Sequence, residues 1–350
     1  MKSDLFFRDP CAIFSTAPTM AQWSLIQKGG RFLMSDVTLK KLSELSGLSI
    51  RSVSRALQGK SGLSEENRRK VLSIAREISY TPNIQARNLR LQKNNFVGIV
   101  VQDFQRDSIA LRKINHLNVL LTRNGYCTLF GINNGKRTEL EELLRQWNGM
   151  VGSVIFFSWD KSWNAEELSL LCSAQFIFVD QESECGHSLI IDRGSGIYDA
   201  ITYLLKSSHC SIARCGNIES REQGFNQALP DLNSPEVKHR YFPSQSNFED
   251  GYLVGKKLLE GKFDAVFFDT DRMAFGFLKY CWEHAVKIPD RIAVVGFDDE
   301  SFDLFSSPSL STVAHPVEEM SAAILQLVKH PETEYRKLIF KTRFIKRESV

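Results

Sequence analysis

Residues 37–80 have the sequence VTLKKLSELSGLSIRSVSRALQGKSGLSEENRRKVLSIAREISY, in which apolar residues recur at helical spacing in three groups. Gly47 ends the first group, while Ser49 and Ser64 are good N-caps for a second and a third helix. Three short helices, two of them joined by a tight glycine turn, are typical of a helix-turn-helix domain. The predicted apolar faces contain Leu39, Leu42 and Leu45, then Val53, Ala56 and Leu57, then Val71, Leu72, Ala75 and Ile78.

This segment is also basic. Residues 35–93 contain twelve Lys and Arg but five Asp and Glu, whereas residues 94–350 contain 28 and 34. A basic segment ahead of an acidic body favours binding to a polyanion. Arg51 and Arg55 lie away from the apolar face of the second helix, where they can reach base edges or phosphates. The alternative is a plain three-helix bundle with surface arginines, but the capped second helix in a basic segment favours DNA binding.

From residue 96 onward, short apolar runs alternate with helical stretches. The first run, FVGIVV at 96–101, is typical of a buried parallel strand. The others are YCTLFGI (126–132), SVIFFS (153–158), QFIFVD (175–180), SIARCG (211–216), HRYF (239–242), DAVFFD (264–269) and RIAVVGFD (291–298). This alternation predicts an α/β fold with a doubly wound parallel sheet, or two such sheets in tandem.

Polar side chains follow several of these runs, at the strand ends where parallel sheets bind ligands. They are Asp103, Ser158, Asp180, Asp269 and Asp298. Such groups suit a hydroxyl-rich ligand such as a sugar. An Asp after a strand also commonly caps the next helix, so each position alone is a weak signal.

The sequence argues against several other classes of protein. It contains no HExxH, GxSxG, P-loop or strand-linked GxGxxG motif, so we expect no enzyme. Seven cysteines without a CxxC pair indicate free thiols, and His209, Cys210 and Cys215 fit no standard zinc spacing, so we expect no metal or cofactor. No apolar run approaches the roughly 18 residues of a membrane helix, and the N-terminus is a poor signal peptide. We therefore expect a cytoplasmic protein rather than a secreted sugar-binding protein.

Several motifs, taken in order, resemble the LacI/GalR family of transcriptional regulators. The resemblance runs from about Val37 to Val350 and includes nearly all of the basic segment. In the body it rests on RxxGF at 221–225, EDGY at 249–252, DAVFFDTDRMAFG at 264–276, IPDRIAVVGFDD at 288–299 and LSTVAHP at 310–316. It implies a small all-α helix-turn-helix headpiece followed by two doubly wound parallel-sheet subdomains, similar to periplasmic binding proteins.

The resemblance also implies a domain organisation. Residues 34–81 would be the headpiece, 82–93 a hinge helix and linker, and 94–350 an effector-binding and dimerisation domain. Residues 1–33 show no clear pattern. We expect them to be a disordered extension, or not to be translated if translation starts at Met34.

The DNA contacts follow from the same resemblance. Ile50 and Arg51 fall at the specificity positions of the recognition helix, where arginine favours guanine through a bidentate pair. The segment PNIQARNLR at 82–90 resembles a hinge helix, in which Leu89 would wedge into the minor groove and kink the duplex. An ordinary linker is the alternative for this segment. The implied DNA-binding residues are Thr38, Ser49, Ile50, Arg51, Ser52, Ser54, Arg55, Asn83, Ala86, Arg87, Leu89 and Arg90.

By resemblance, a small-molecule effector, a carbohydrate or its phosphate, closes the two subdomains of a homodimer and changes its affinity for a pseudo-palindromic operator. Arg221 matches an arginine that bonds effector hydroxyls or carboxylates, and Asp298 matches an acid that pairs with sugar hydroxyls. The implied effector-binding residues are Asp103, Asp180, Arg221, Phe248, Thr270, Asp271, Asp298 and His315. His315 could equally be a core histidine. Repression is the expected activity, and activation is the alternative.

Three features depart from the family pattern. The loop from Gly216 to Arg221 is shorter than usual, and Thr270 replaces the Asn or Gly that often precedes Asp271. Ser246 occupies the place of a common aromatic platform, with Phe248 two residues later. Asp271 could itself be structural and hold the turn after its strand. The effector therefore cannot be copied from a relative.

Overall fold

The structure, a computed structural model, divides the chain into two compact units, Met1–Leu91 and Gln92–Val350. The N-terminal extension at 1–33 and the predicted hinge at 82–93 lie outside the residues that it describes. The described residues are 38–57, 59, 61–80, 95–101, 108–157, 163–231, 238–332 and 334–350.

The first unit contains the helices α1 (Leu39–Ser46), α2 (Ile50–Leu57) and α3 (Glu65–Glu77). Gly47 ends α1 with a φ of 69°, a left-handed conformation that glycine adopts without strain. Ser64 begins α3, and its hydroxyl accepts a hydrogen bond from the backbone N–H of Asn67. The buried core of the three helices is Leu42, Val53, Ala56, Val71 and Ala75. This arrangement confirms the predicted helix-turn-helix fold.

The predicted apolar face of α1 was wrong at one position. Leu45 is 47% exposed, whereas the neighbouring Ser46 is buried. Two steps of three residues from Leu39 rotate about the helix axis by 600° rather than two full turns, so Leu45 drifts off the face. Ser46 lies four residues after Leu42 and therefore stays on the same face.

The second unit alternates strands and helices. Its described strands are β1 (Phe96–Val101), β2 (Cys127–Ile132), β3 (Ser153–Phe156), β4 (Gln175–Val179), β5 (His187–Asp192), β6 (Ser211–Gly216), β7 (Lys238–Pro243), β8 (Ala265–Phe268), β9 (Ala293–Asp298), β10 (Ser311–Ala314), β11 (Lys337–Lys341) and β12 (Arg343–Ile345). Its described helices are α4 (Ser108–Arg123), α5 (Arg137–Trp147), α6 (Ala165–Leu171), α7 (Arg193–Lys206), α8 (Glu219–Asp231), α9 (Phe248–Leu253), α10 (Gly255–Glu260), α11 (Asp271–Glu283) and α12 (Val317–Lys329). A short 3-10 helix, Ser301–Leu304, follows β9.

These strands form two six-stranded sheets. The first has the order β11-β5-β4-β3-β1-β2, and the second has the order β12-β10-β9-β8-β6-β7. All neighbours are parallel except β12, which runs antiparallel to β10 at one edge. Buried apolar clusters cover both faces of each sheet. The predicted pair of doubly wound sheets is confirmed, with the antiparallel edge strand as an addition.

The chain crosses between the sheets three times. It leaves the first sheet after β5 to form α7, returns after β10 to form α12, and passes from β11 to β12 at Thr342. α12 packs in the core of the first sheet, although it follows a strand of the second. Three segments connect the two subdomains. Any rotation of one subdomain relative to the other must therefore bend the chain at these three segments.

Among the described residues, no helix is both long and apolar enough to span a membrane. The same residues contain no group of three or more His, Cys, Asp or Glu side chains placed to hold a metal ion.

Candidate DNA-binding face and ligand cleft

The second helix of the headpiece has one buried and one open face. Val53 and Ala56 are buried in the core, while Ile50, Arg51 and Arg55 are exposed. Residues one turn apart share a face, so Arg51 and Arg55 lie on the same side of α2. This is the arrangement that the sequence predicted for a recognition helix.

The predicted serine and threonine contacts also cap the helices. The Ser49 hydroxyl accepts a hydrogen bond from the Ser52 backbone N–H at 3.2 Å, and the two hydroxyls lie 3.0 Å apart. Thr38 accepts from the N–H of Lys41 at 3.3 Å at the start of α1. Ser54 is partly buried on α2. Helix N-termini carry partial positive charge and free N–H groups, so these capped ends suit contact with phosphates.

Arg55 also packs against the loop before α3. A Cβ added at Gly62 would lie 3.3 Å from Nη1 of Arg55, and the φ of 90° at Gly62 favours glycine in any case. The predicted hinge contacts (Asn83, Ala86, Arg87, Leu89 and Arg90) and the predicted effector contact Asp103 lie outside the described residues.

Arg221 and Asp298 form a buried ion pair in the second unit. Arg221, on α8, donates from Nη2 to Oδ1 of Asp298, at the end of β9, over 2.8 Å. The guanidinium also lies 4.1 Å from the ring centroid of Phe297. Its Nε and Nη1 are buried and meet no acceptor among the described residues. A buried guanidinium with two donors unused is a natural receptor for a ligand oxygen.

His315 joins this pair. Its Nε2 lies 3.2 Å from Oδ1 of Asp298, the same oxygen that Arg221 contacts. Burial, followed by the positive charges of Lys113 and Arg221, holds the pKa of His315 well below its usual range. The ring is therefore neutral, Nε2 donates to Asp298, and the buried Nδ1 is an acceptor without a partner in the described structure.

Asp298 has an unusual backbone as well as a buried carboxylate. Its φ is 122°, which side-chain-bearing residues rarely adopt, and such conformations cluster at functional sites. Burial raises the pKa of Asp298, and the nearby charges of Arg221 and Lys113 oppose this shift. The sequence had placed Asp298, Arg221 and His315 in one cleft, and the structure brings the three side chains together.

Asp180 lies on the side of the first sheet, just after β4, and has a φ of 63°. Its carboxylate receives a short hydrogen bond from Arg193 at the start of α7, and Nζ of Lys113 lies 3.7 Å away. Lys113 and Arg193 both act on the pKa of His315. Asp180 and its cations therefore face the same region as the Arg221 group.

One side chain connects the two subdomains directly. Arg112, on α4 beside the first sheet, donates to the backbone carbonyls of Asp298, at 2.9 Å, and Asp299, at a shorter distance. Both acceptors belong to the second sheet's side of the cleft. Arg112 thus links the two sides of the cleft.

Asp269 directly follows β8 and contacts the turn before α8. It is fully buried and accepts from Nε and Nη2 of Arg214, at 3.0 and 2.7 Å, and from the backbone N–H of Ile218, at 2.9 Å. Gly216 is closely packed here, because an added Cβ would lie 2.1 Å from the Asp269 carboxyl group. The pair fixes the short turn before α8 and so positions Arg221.

Thr270 and Asp271 serve the framework in this structure. The Thr270 hydroxyl caps α11 by accepting from the N–H of Met273. Asp271 is fully buried and accepts from the Thr312 hydroxyl at 2.6 Å and from the N–H of Glu300 at 3.0 Å. These contacts support the structural alternative that the sequence left open for Asp271.

Phe248 lies in an aromatic group. It is 40% exposed, and its ring centroid lies 6.0 Å from those of both Phe275 and Phe302. This group joins the start of α9 to α11 and the 3-10 helix. Phe248 therefore packs with a different set of side chains from Arg221 and Asp298.

Asp303 is a buried acid beside Asp271. Burial, followed by the negative charge of Asp271 and a hydrogen bond to it, raises the pKa of Asp303 to about 10. Nη1 of Arg347 lies 3.7 Å from Asp303 but donates to the carbonyl of Leu310 at 2.6 Å. Asp303 is therefore protonated at neutral pH beside Asp271, whose pKa is raised to about 6.

We expect Asp303→Asn to flatten the pH dependence of stability. The folded protein keeps a proton on Asp303 that the unfolded chain releases above about pH 4, so the free energy of unfolding falls as pH rises toward about 10. Asparagine has no titratable proton, so the slope between pH 6 and 9 should shrink by about 1 kcal/mol per pH unit. Urea titrations across this range measure it. The exposed-acid control Asp290→Asn should keep the parental slope, and an unchanged slope for Asp303→Asn would contradict the assignment.

Two family models match the chain. The model of the bacterial regulatory proteins of the lacI family matches residues 38–83, and that of the periplasmic binding protein-like domain matches residues 201–350. The chain belongs to the LacI family. It is thus a DNA-binding transcriptional regulator, as the helix-turn-helix fold and the exposed face of α2 predicted.

Curated relatives resemble this LacI-family chain along most of their length. It is 28% identical to the probable HTH-type transcriptional repressor ExuR of Bacillus subtilis, over 90% of this chain and 98% of the relative. It is 26% identical to the ribose operon repressor of Haemophilus influenzae, over 89% and 98%. Among solved structures, a lac repressor dimer bound to operator and an anti-inducer has a TM-score of 0.70 at 19% identity, over 89% of this chain and 98% of that one. That likeness concerns the fold.

Sequence reasoning missed three cleft residues: Arg112, Lys113 and Arg193. Lys113 carried a usable signal, because it lies four and eight residues before the buried Leu117 and Leu121, on the apolar face of α4. A lysine on such a face needs a buried partner. Arg193 carried no such signal in the sequence, because a cation directly after a strand is common on protein surfaces.

Proposed function

We propose that this protein is a repressor that binds a pseudo-palindromic operator as a homodimer, and that a carbohydrate-class effector in the cleft controls its operator affinity. The observation that carries the proposal is the buried Arg221–Asp298–His315 group beneath the cross-cleft contact of Arg112. A ligand that bonds this group while Arg112 closes over it binds the closed form better than an open one. Such a difference in affinity is what allows a ligand to shift an equilibrium between two states.

The atoms of the site suit a polyol. The hydrogen bonds that described residues make with the Asp298 carboxylate both fall on Oδ1, and His315 Nδ1 is an unused acceptor. Ligand hydroxyls can donate to these acceptors and accept from the unused N–H groups of Arg221. The relatives support this class, because one solved LacI-family regulator from Enterococcus faecium holds ribose. Asp103 and Asp180 complete the proposed effector-binding set. Phe248, Thr270 and Asp271, which the resemblance also implies, would border the site, since their described contacts are with the framework.

The remaining parts of the proposal concern the headpiece and the setting. Residues 34–81 would bind the major groove, 82–93 would form the hinge with Leu89 as its wedge, and 94–350 would bind effector and form the dimer. The DNA contacts are those inferred from the sequence. The proposed function includes no catalysis. The protein would act in the cytoplasm, where it would bind its operator DNA.

The test begins with the full chain and a pool of randomised duplexes. Rounds of selection should yield an inverted repeat, and sedimentation of the complex should give two chains per site. Fluorescence anisotropy on the selected duplex, with and without sugars, sugar acids and sugar phosphates, then measures effector control. Selection that yields no common sequence would contradict the operator proposal.

We expect Arg51→Ala to lower affinity for the selected operator about tenfold to a hundredfold. A bidentate arginine–guanine pair is worth about 1–3 kcal/mol of discrimination, and its loss should relax the preference at one position of each half-site. Arg76→Ala, which removes an exposed arginine from α3, should cost less and leave the base preference unchanged. Equal losses of operator affinity for the two variants would contradict the assignment of α2 as the recognition helix.

A further inference from the structure

The two residues that end β9, here called the cleft turn, have a backbone that residues with side chains rarely adopt. Asp298 and Asp299 have φ values of 122° and 58°. They are the only adjacent non-glycine residues with positive φ in the described ranges. Such conformations cost free energy and persist only where surrounding contacts fix them. The contacts of the cleft turn should therefore show what this backbone is for.

One guanidinium accounts for the unusual backbone. Arg112, on α4 of the first subdomain, donates to the carbonyl oxygens of both Asp298, at 2.9 Å, and Asp299. Successive carbonyl groups of an extended strand point in opposite directions, so a strand could not present both to one side chain. In the cleft turn the two carbonyls converge on Arg112, and the planar fork of a guanidinium suits two neighbouring acceptors. The rare backbone is thus the form of the turn that bonds across the cleft.

Arg347 holds the same turn from the second subdomain. Its Nη2 makes a short hydrogen bond to Oδ1 of Asp299, and its Nη1 donates to the carbonyl of Leu310 at 2.6 Å. Its backbone N–H donates to the Ser311 hydroxyl at 2.8 Å, and its side chain is 11% exposed. Arg347 therefore fastens the cleft turn to the start of β10. The two arginines grip the turn from opposite sides of the cleft.

The cleft turn also carries the carboxylate that faces the ligand. Arg221 and His315 bond the side chain of Asp298, while Arg112 bonds its carbonyl oxygen. Both groups are attached to one Cα. A backbone rotation that releases Arg112 therefore also moves the carboxylate relative to Arg221 and His315. The turn is an element whose two arrangements are biased both by contact across the cleft and by a ligand in the cleft.

We propose that Arg112 and Arg347 are positioning residues of the effector response, which hold the cleft turn so that closure of the cleft and binding of the ligand depend on each other. This inference rests on the proposed effector function and names the residues that transmit the response. Neither arginine has to touch the ligand. Release of Arg112 lets the turn relax, and the relaxed turn withdraws Asp298 from the geometry that binds the ligand.

Hydrogen exchange of the full-length protein without ligand tests the contact across the cleft. The N–H groups of Asp299 and Glu300 donate to side chains of the second subdomain, so their exchange reports the form of the turn. Arg112→Met should speed their exchange about tenfold, and Arg112→Lys, which supplies a point donor instead of a fork, should speed it less. Arg123→Met removes an exposed arginine from the last turn of α4 and should change nothing. Unchanged exchange in Arg112→Met would overturn the inference.

A double-mutant cycle tests whether the two arginines act through one turn. The probes are ribose, glucose, glucuronate and glucose 6-phosphate, titrated calorimetrically. Arg112→Met and Arg347→Met should each weaken the tightest probe about tenfold, within the usual range of coupling between sites. The double variant should bind no more weakly than the weaker single variant, and Arg347→Lys should recover part of the loss. Losses that multiply would mean independent roles, such as direct ligand contact by Arg112, and would overturn the inference.

Operator binding separates this inference from the proposed function. The substitution Arg112→Met opens what the ligand closes. It should therefore move the ligand-free affinity for the selected duplex in the direction opposite to the effect of the tightest probe. A shift in the same direction would contradict the coupling. Effector control that survives with unchanged exchange at the turn would overturn the inference alone. If no probe changes operator affinity, although exchange responds as expected, the proposed effector function fails and the inference fails with it.

Discussion

Asp269→Ala should lower the free energy of unfolding of this protein by about 3–5 kcal/mol, the usual cost of removing one partner from a buried ion pair. The variant leaves the guanidinium of Arg214, which is 2% exposed, without its bidentate acceptor. It also removes the acceptor for the N–H of Ile218 and opens space beside Gly216. A single substitution removes these contacts together, because one carboxylate makes all of them.

Glu222→Ala is the matched control, because Glu222 pairs with the same arginine at 3.3 Å but is 45% exposed. Solvent weakens such a pair, so its loss should cost no more than about 1 kcal/mol. Urea denaturation of the full-length proteins, followed by tryptophan fluorescence, compares the two variants under one condition. Similar midpoints for the two variants would mean that the buried pair does not hold the turn before α8.

The regular part of the fold was accessible from the sequence because most of the predicted strands are continuous apolar runs. Strands buried on both faces, such as β1 and β9, need such runs and were predicted within two residues of their observed bounds. The strands that connect the subdomains lacked this signal. β11 has the sequence KLIFK with alternating exposed residues, because it lies at a sheet edge, and it was not predicted. β5, β10 and β12 were missed as well.

Sequence position could not assign the strand-end acids to separate roles. Asp269, Asp271 and Asp298 all follow apolar runs and belong to the family motifs. In the structure, Asp269 holds Arg214, Asp271 holds Thr312, and Asp298 faces Arg221 and His315. The roles depend on which side chain arrives from a distant strand or helix. Only the three-dimensional arrangement contains that information.

Arg221→Met should abolish the effector response while operator affinity in the absence of effector stays within about threefold of the parent. Truncating one partner of a buried charged contact costs about 2–5 kcal/mol, so binding of the most effective ligand of the panel should weaken at least about thirtyfold. Operator binding is carried by a separate compact unit, which this substitution does not touch. Anisotropy with the selected duplex measures both quantities.

The same substitution leaves Asp298, which is 8% exposed, without its cation, so lost stability alone could mimic lost binding. The double variant Arg221→Met with Asp298→Asn separates the two effects. It removes the unpaired carboxylate, so the free energy of unfolding should return toward that of the parent, whereas the guanidinium donors remain absent. Stability that recovers without any effector response would assign ligand binding to the Arg221–Asp298 pair. If the effector response recovers together with stability, the ligand binds without the guanidinium. The role of Arg221 would then be only to neutralise the charge of Asp298.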